Sequence, residues 1–143
     1  MVVSLNSCGD VQDNPPKHQE NILRIATTIS PITSLVENVG GTLIQLEGLI
    51  PEGVNSHTYE PSPSVASVLA HADLIVLNGL FLEEPTLAMA QANKQETATI
   101  LLLGDKAISK DEWIFDFSFP EANDHPNPHL WTDPLMGLKY AEL

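Results

Sequence analysis

Two histidines draw attention because each lies in a proline-containing loop directly before a predicted helix. His57 lies in the segment NSHTYEP and His129 in the segment NPHLWTDP. Neutral imidazole is the commonest protein ligand for zinc and also suits other first-row metals. The prolines around His57 lower the entropy cost of holding a ligand in place. We therefore interpret His57 and His129 as half of a metal site, whose other half is not evident in the sequence.

Three further side chains are accessory candidates for this site. Glu60 could orient an imidazole as a hydrogen-bond acceptor, or it could be an exposed surface residue. Asp133 could contribute a carboxylate, although capping the helix that follows is the role its position favours. His125 is close to His129 in the sequence, but two prolines intervene, so these histidines cannot share a helical face.

Composition limits the classes of function that the chain can have. Its 143 residues are enough for one domain or for part of a larger protein. A hydrophobic fraction of 43% allows a real core. The net charge of -13 repels nucleic acid and anionic lipid, so we expect no nucleic-acid partner. No apolar run reaches the ~18 residues that a transmembrane helix requires.

The single cysteine, Cys8, excludes an intrachain disulfide and a multi-cysteine zinc site. Its context, LNSCG, resembles a bacterial lipobox, in which signal cleavage leaves a lipidated N-terminal cysteine. The alternative is a chance match, because a basic region and a full apolar stretch do not precede it. We predict a lipobox-like N-terminus and flexible tether over residues 1–21, with membrane attachment through a lipidated Cys8 possible.

An alternation of strand and helix patterns predicts an α/β fold with a parallel four-stranded sheet flanked by helices. In such sheets ligands bind beyond the carboxyl ends of the strands. His57 follows the second predicted strand and His129 follows the fourth, so both should emerge at the same edge. Residues 104–128 form a long connection, read as a functional loop or lid, or as a short strand near 114–119. The predicted strands are 22–29, 42–50, 73–77 and 97–103. The predicted helices are 31–39 and 63–72, with Ser30 and Ser62 as N-caps, then 81–92 and a last one beginning at Pro134.

Three segments in the expected order give the chain a family resemblance. They are GVNSHTYEPSPS at 53–64, ADLIVLNGLFLE at 72–83 and PHLWTDP at 128–134. Together they resemble the zinc- and manganese-binding solute-binding proteins of bacterial ABC importers, the cluster A-I or adhesin-type lipoproteins. The resemblance extends from about Ile22 to the end of the chain. One departure is Asn127, which stands where the family commonly has aspartate.

The resemblance implies two α/β lobes joined by one long helix, with the metal between the lobes. The N-terminal lobe supplies two histidines, which match His57 and His129, and the C-terminal lobe supplies the remaining ligands. Residues 22–133 would form the N-terminal metal-binding lobe, and 134–143 would begin the linking helix. The implied function is extracytoplasmic capture of Zn²⁺ or Mn²⁺ at the periplasm or cell surface, for delivery to an ABC permease in the membrane.

Two other functions remain as alternatives. A metal-dependent hydrolase could use His57, His129 and a carboxylate from Glu60 or Asp133, since catalytic zinc needs three protein ligands and an open position. The sequence contains no HExxH motif, phosphate-binding glycine loop or nucleophile elbow, so we expect no enzyme. The third possibility is an adhesion or scaffold module without metal transport.

Overall fold

The computed structural model describes residues 22–115 and 125–143. Four parallel strands form one sheet in the order β2-β1-β3-β4, which confirms the predicted fold class. The strands are β1 (Leu23–Thr27), β2 (Ile44–Gly48), β3 (Leu74–Leu77) and β4 (Thr99–Leu102). The α-helices are α1 (Ser30–Gly40), α2 (Pro63–His71), α3 (Glu84–Asn93), α4 (Leu103–Ala107) and α5 (Pro134–Ala141).

The sheet is buried on both faces, as the unbroken apolar run of β3 predicts. Neighbouring strand residues alternate between two core clusters because successive side chains point to opposite faces. Val76 joins the cluster that contains Ile32 and Tyr140, whereas Ile75 joins the cluster that contains Leu69 and Ala90. Helices α1 and α5 therefore cover one face, and α2 and α3 cover the other.

A proline lies at or next to the first residue of four helices, as the sequence indicates, but two helix starts differ from prediction. Helix α1 begins at Ser30 itself, with Ile29 as the N-cap. Helix α3 begins at Glu84 and not at 81, because Leu80 and Phe81 have φ angles of 52° and 65°. A left-handed backbone cannot continue into a right-handed helix, so the turn after β3 is longer than predicted.

The predicted long connection after β4 contains regular structure that sequence reasoning missed. It begins with α4 and continues into a short 3-10 turn at Lys110–Glu112, closed by a capping box between Ser109 and Glu112. The alternative of a strand near 114–119 falls mostly outside the described residues. Cys8 and the tether over 1–21 also lie outside them. In the described ranges, no helix has the length and apolarity needed to cross a membrane.

Candidate metal centre

The rings of His57 and His129 meet at the edge of the sheet where the strands end. His57 lies in a 3-10 turn (Ser56–Thr58) after β2, and His129 immediately precedes a second 3-10 turn (Leu130–Thr132). Their Nε2 atoms are 3.2 Å apart, and the ring centroids are 5.2 Å apart at an interplanar angle of 50°. The two loops therefore converge as the order of strands predicts, although 72 residues separate the histidines.

Asn127 fixes the orientation of the His129 ring. Its Oδ1 accepts hydrogen bonds from the His129 backbone N–H at 3.0 Å and from Nδ1 at 2.8 Å. The bond from the backbone N–H identifies this atom as the amide oxygen, which can only accept. The ring must therefore donate, so the proton of neutral His129 lies on Nδ1. Nε2 then carries the lone pair that a metal requires, and it faces His57. Trp131 packs edge-on beside this ring, with centroids 5.2 Å apart.

His57 is held less tightly than His129. Its backbone N–H donates to Asn55 Oδ1 at 3.0 Å, and the side chain is exposed. The end of the loop is tied to the body of the domain by Tyr59, whose hydroxyl donates to the Leu49 carbonyl at 3.0 Å. The loop is thus held through its backbone and Tyr59, and the imidazole itself is in contact with His129 Nε2 at 3.2 Å.

The separation of the two Nε2 atoms is the one that a shared metal ion demands. Zinc lies about 2.05 Å from each imidazole nitrogen in proteins. With the nitrogens 3.2 Å apart, both bonds reach one ion at an N–Zn–N angle of about 103°, close to the tetrahedral value of about 109°. The pair can therefore act as a two-nitrogen chelate without moving the backbone.

The accessory candidates are placed elsewhere. Glu60 is exposed, and the acceptor on the His129 ring is Asn127 and not Glu60. His125 stacks on Phe81, with ring centroids 4.2 Å apart and an interplanar angle of 5°. Asp133 caps α5 by accepting from the Leu135 N–H at 2.8 Å, the structural role that its position favours. Within 22–115 and 125–143, no group of three or more His, Cys, Asp or Glu side chains could hold a metal.

Sequence reasoning assigned no role to the two asparagines that organise the site, although a signal was present. Each histidine is preceded two positions earlier by asparagine, as Asn55-x-His57 and Asn127-x-His129. In both loops the asparagine Oδ1 accepts from the histidine backbone N–H at 3.0 Å. Asparagine side chains commonly close such local turns, so this repeated spacing marks two loops that present an imidazole in the same way.

A parallel α/β lobe that presents two facing imidazoles beyond its strand ends is the arrangement that the family resemblance implies for the N-terminal lobe of a metal-binding solute-binding protein. The family model described as ZnuA, zinc-uptake complex component A periplasmic, matches residues 25–143. The chain belongs to this family, which confirms the resemblance carried by its three motifs.

Individual relatives agree with this assignment. The chain is 30% identical over 131 residues to the manganese ABC transporter substrate-binding lipoprotein PsaA of Streptococcus pneumoniae, covering 88% of this chain and 41% of that protein. It is 28% identical over 144 residues to the manganese-binding lipoprotein MntA of Halalkalibacterium halodurans, covering 100% and 45%. Both relatives are more than twice as long as the matched segment.

A solved structure gives the same result for the fold. The cadmium-bound periplasmic metal binding protein of Candidatus Liberibacter asiaticus superposes with a TM-score of 0.71 at 28% identity, covering 84% of this chain and 42% of that one. The present chain therefore spans less than half the length of the proteins it resembles.

Proposed function

We propose that this chain binds a divalent transition metal, Zn²⁺ or Mn²⁺, through Nε2 of His57 and Nε2 of His129. The observation that carries the proposal is the 3.2 Å separation of these nitrogens across two loops from different parts of the chain. The relatives named for manganese binding support the same cargo. Because nitrogen sites intrinsically favour zinc over manganese, we expect zinc to bind more tightly to the isolated pair.

We further propose that the bound ion is destined for an ABC-type permease and that the chain acts outside the cytoplasm. This role is supported by the relatives named as ABC transporter substrate-binding lipoproteins. In this role the metal is cargo that must enter and leave the site. The exposure of His57 suits such a role, because an ion could reach the histidine pair without unfolding either loop. Membrane anchoring through a lipidated Cys8 belongs to the same proposal.

The chemistry of the pair favours binding over catalysis. A hydrolytic zinc site needs three protein ligands and an activated water. The carboxylate of Asp133 is engaged at the N-terminus of α5, and Glu60 takes no part in orienting His129. A binding component with further ligands supplied by a second lobe therefore fits these residues better than a hydrolase, and we assign the chain no enzymatic role.

Calorimetric titration of the chain with zinc and with manganese tests the assignment. We expect weak zinc binding, because two ligands are half of a closed four-ligand site, and its loss in both His57→Ala and His129→Ala. The matched control is His71→Ala, since His71 is an exposed histidine at the end of α2 that bonds only within its own helix. Equal losses in all three variants, or no zinc binding by the wild-type chain, would overturn the proposal.

A further inference from the structure

A buried asparagine, Asn78, links the end of β3 to the loop that carries His129. Its side chain is fully buried. The Nδ2 amide donates to the Pro128 carbonyl at 3.0 Å and to the Gly79 carbonyl at 3.1 Å, and Oδ1 accepts from the Tyr140 hydroxyl at 3.0 Å. The amide thus joins β3, α5 and the metal-site loop through one group.

The orientation of this amide is determined by its partners. Rotating it by half a turn would point Oδ1 at two carbonyl oxygens, which can only accept. Both would then be buried without a donor, at a cost of about 1–3 kcal/mol each. Asn78 can therefore hold the Pro128 carbonyl in one way only.

The contact with Pro128 acts directly on His129 because the two residues share a peptide group. Asn78 holds the oxygen of that group, while Asn127 Oδ1 accepts from its N–H. Because both the carbonyl and the N–H of this peptide group are hydrogen-bonded, the position of the adjoining His129 Cα is restricted. Since Asn127 also holds ring Nδ1, the position of Nε2 follows from these contacts.

The backbone of Asn78 is itself held by a buried carboxylate. Glu83 Oε1 accepts from the Asn78 N–H at 3.0 Å and from the Thr28 hydroxyl at 2.6 Å, and Oε2 accepts from the Gly79 N–H at 3.1 Å. Glu83 is only 3% exposed. A charged or polar group buried to this degree is retained where its hydrogen bonds are complete, as they are here. The ends of β1 and β3 are thereby joined beneath the site.

We propose that Asn78 is a positioning residue for metal binding, which sets the place of His129 Nε2 relative to His57 by holding the Pro128 carbonyl. This inference rests on the proposed function of the histidine pair. It assigns the two halves of the chelate to different supports: His129 depends on Asn78, whereas the His57 loop depends on the contact between Tyr59 and Leu49. Loss of Asn78 should therefore act on metal affinity through His129 alone.

The test combines zinc titration of the full chain with nitrogen-15 spectra of its metal-free histidines. Asn78→Ala should weaken zinc binding by about 10-fold or more, as loss of partners that orient a ligand typically does. In metal-free His57→Ala, Asn78→Ala should still change the imidazole signals of His129, whereas in metal-free His129→Ala it should leave the signals of His57 unchanged. Signal changes of similar size at the remaining histidine in both backgrounds would show a general structural effect and would overturn the inference.

A stability control and a second variant keep the result interpretable. Ile75→Val trims a fully buried side chain in the opposite core cluster, so it should lower stability without changing zinc affinity. If Asn78→Ala does not fold, Tyr140→Phe removes only the hydroxyl that bonds Asn78 Oδ1, and the same measurements apply. Its effects on zinc affinity and on the His129 signals should be smaller, and the His57 signals of metal-free His129→Ala should again be unchanged.

The metal-free chain offers an independent readout. Nitrogen-15 spectra of the imidazoles should show His129 with its proton fixed on Nδ1, and Asn78→Ala should mix the two tautomers while His71 is unchanged. If wild-type zinc binding is absent, the proposed function fails. If wild-type binds zinc but Asn78→Ala binds equally well with an unaltered His129 spectrum, only the positioning role fails.

Discussion

Replacing Gly79 by alanine should destabilise the domain far more than the same change at Gly53, although both glycines have nearly the same backbone angle. Their φ values are 78° and 79°, in the left-handed region that favours glycine. An alanine there costs about 1–2 kcal/mol through contact of Cβ with its own backbone. That cost should be common to both variants.

The surroundings of the two glycines differ completely. A Cβ at Gly79 would overlap Asp105 Oδ2, and it would lie 3.1 Å from Leu102 Cβ, whereas a Cβ at Gly53 meets nothing within 4 Å. Displacing Asp105 also removes the acceptor of the Leu80 N–H, which is bonded at 2.9 Å. A part-buried N–H left without its acceptor costs about 1–3 kcal/mol. Gly79→Ala should therefore lose about 2–5 kcal/mol in total.

Urea unfolding followed by circular dichroism measures both free energies under one set of conditions. We expect Gly53→Ala to shift the midpoint slightly with an unchanged slope, and Gly79→Ala to remove a large part of the 5–15 kcal/mol or so that a domain typically has. Asp105→Ala alone should cost about 1–3 kcal/mol because it removes the same acceptor, and adding Gly79→Ala to that variant should then cost only the backbone part of about 1–2 kcal/mol. Equal losses at the two glycines would refute the reasoning that the turn after β3 is fixed by Asp105.

Three other predictions concern charge and the metal site. Asn127→Ala should weaken zinc binding by about 10- to 100-fold by releasing the His129 ring, whereas Asn93→Ala, which removes a comparable exposed side chain on α3, should leave zinc titrations unchanged. The Arg24 guanidinium lowers the pKa of Asp73 to about 2. The Asp73 carboxylate therefore makes its full contribution to folding stability above the unfolded pKa of about 4, and this contribution is lost as pH falls toward 2. Asp73→Asn should flatten the dependence of the melting temperature on pH over that window. Burial raises the pKa of Glu83, so this group stabilises the fold at acid pH and the stabilisation is lost as pH rises above the unfolded pKa of about 4.3. Glu83→Gln should abolish this decline in the melting temperature. An unchanged pH profile in that variant would contradict the prediction.

Apolar patterning was enough to predict the sheet and to place both histidines. The run Leu74–Leu77 has no polar interruption, so it indicates a strand covered on both sides, and parallel pairing then brings the ends of β2 and β4 to one edge. Prolines after Ser62 and Asp133 mark helix starts because the ring suits the first helical turn. The apolar run and the prolines act on their own segments of the chain, which is why the sequence alone is enough to predict these elements.

The supports of the site could not be predicted because they depend on tertiary contacts. Glu83 appears in the sequence as an ordinary acidic residue in the first turn of the predicted helix 81–92, and only the approach of Thr28 and two backbone N–H groups explains its burial. Leu80 and Phe81 have no sequence feature that announces a left-handed backbone. Strain of this kind persists only where the surrounding structure enforces it, and here the carboxylates of Glu83 and Asp105 do so.

In the proposed metal site the two histidines are held unequally before an ion binds, and this inequality bears on how a surface site would accept and release an ion. His129 is half-buried and held by Asn127 on both its backbone and its ring, so little of its freedom remains to be lost. His57 is exposed and held through its backbone, so ordering its ring accounts for most of the entropy cost. In the metal-free pair the His129 proton lies on Nδ1, so the 3.2 Å contact requires His57 Nε2–H to donate. Binding of an ion as proposed would need the His57 proton on Nδ1 instead, because Nε2 must offer its lone pair to the metal. In the proposed site the hydrogen bonds of His129 would set where the metal binds, and the tautomer of His57 would change on capture and release.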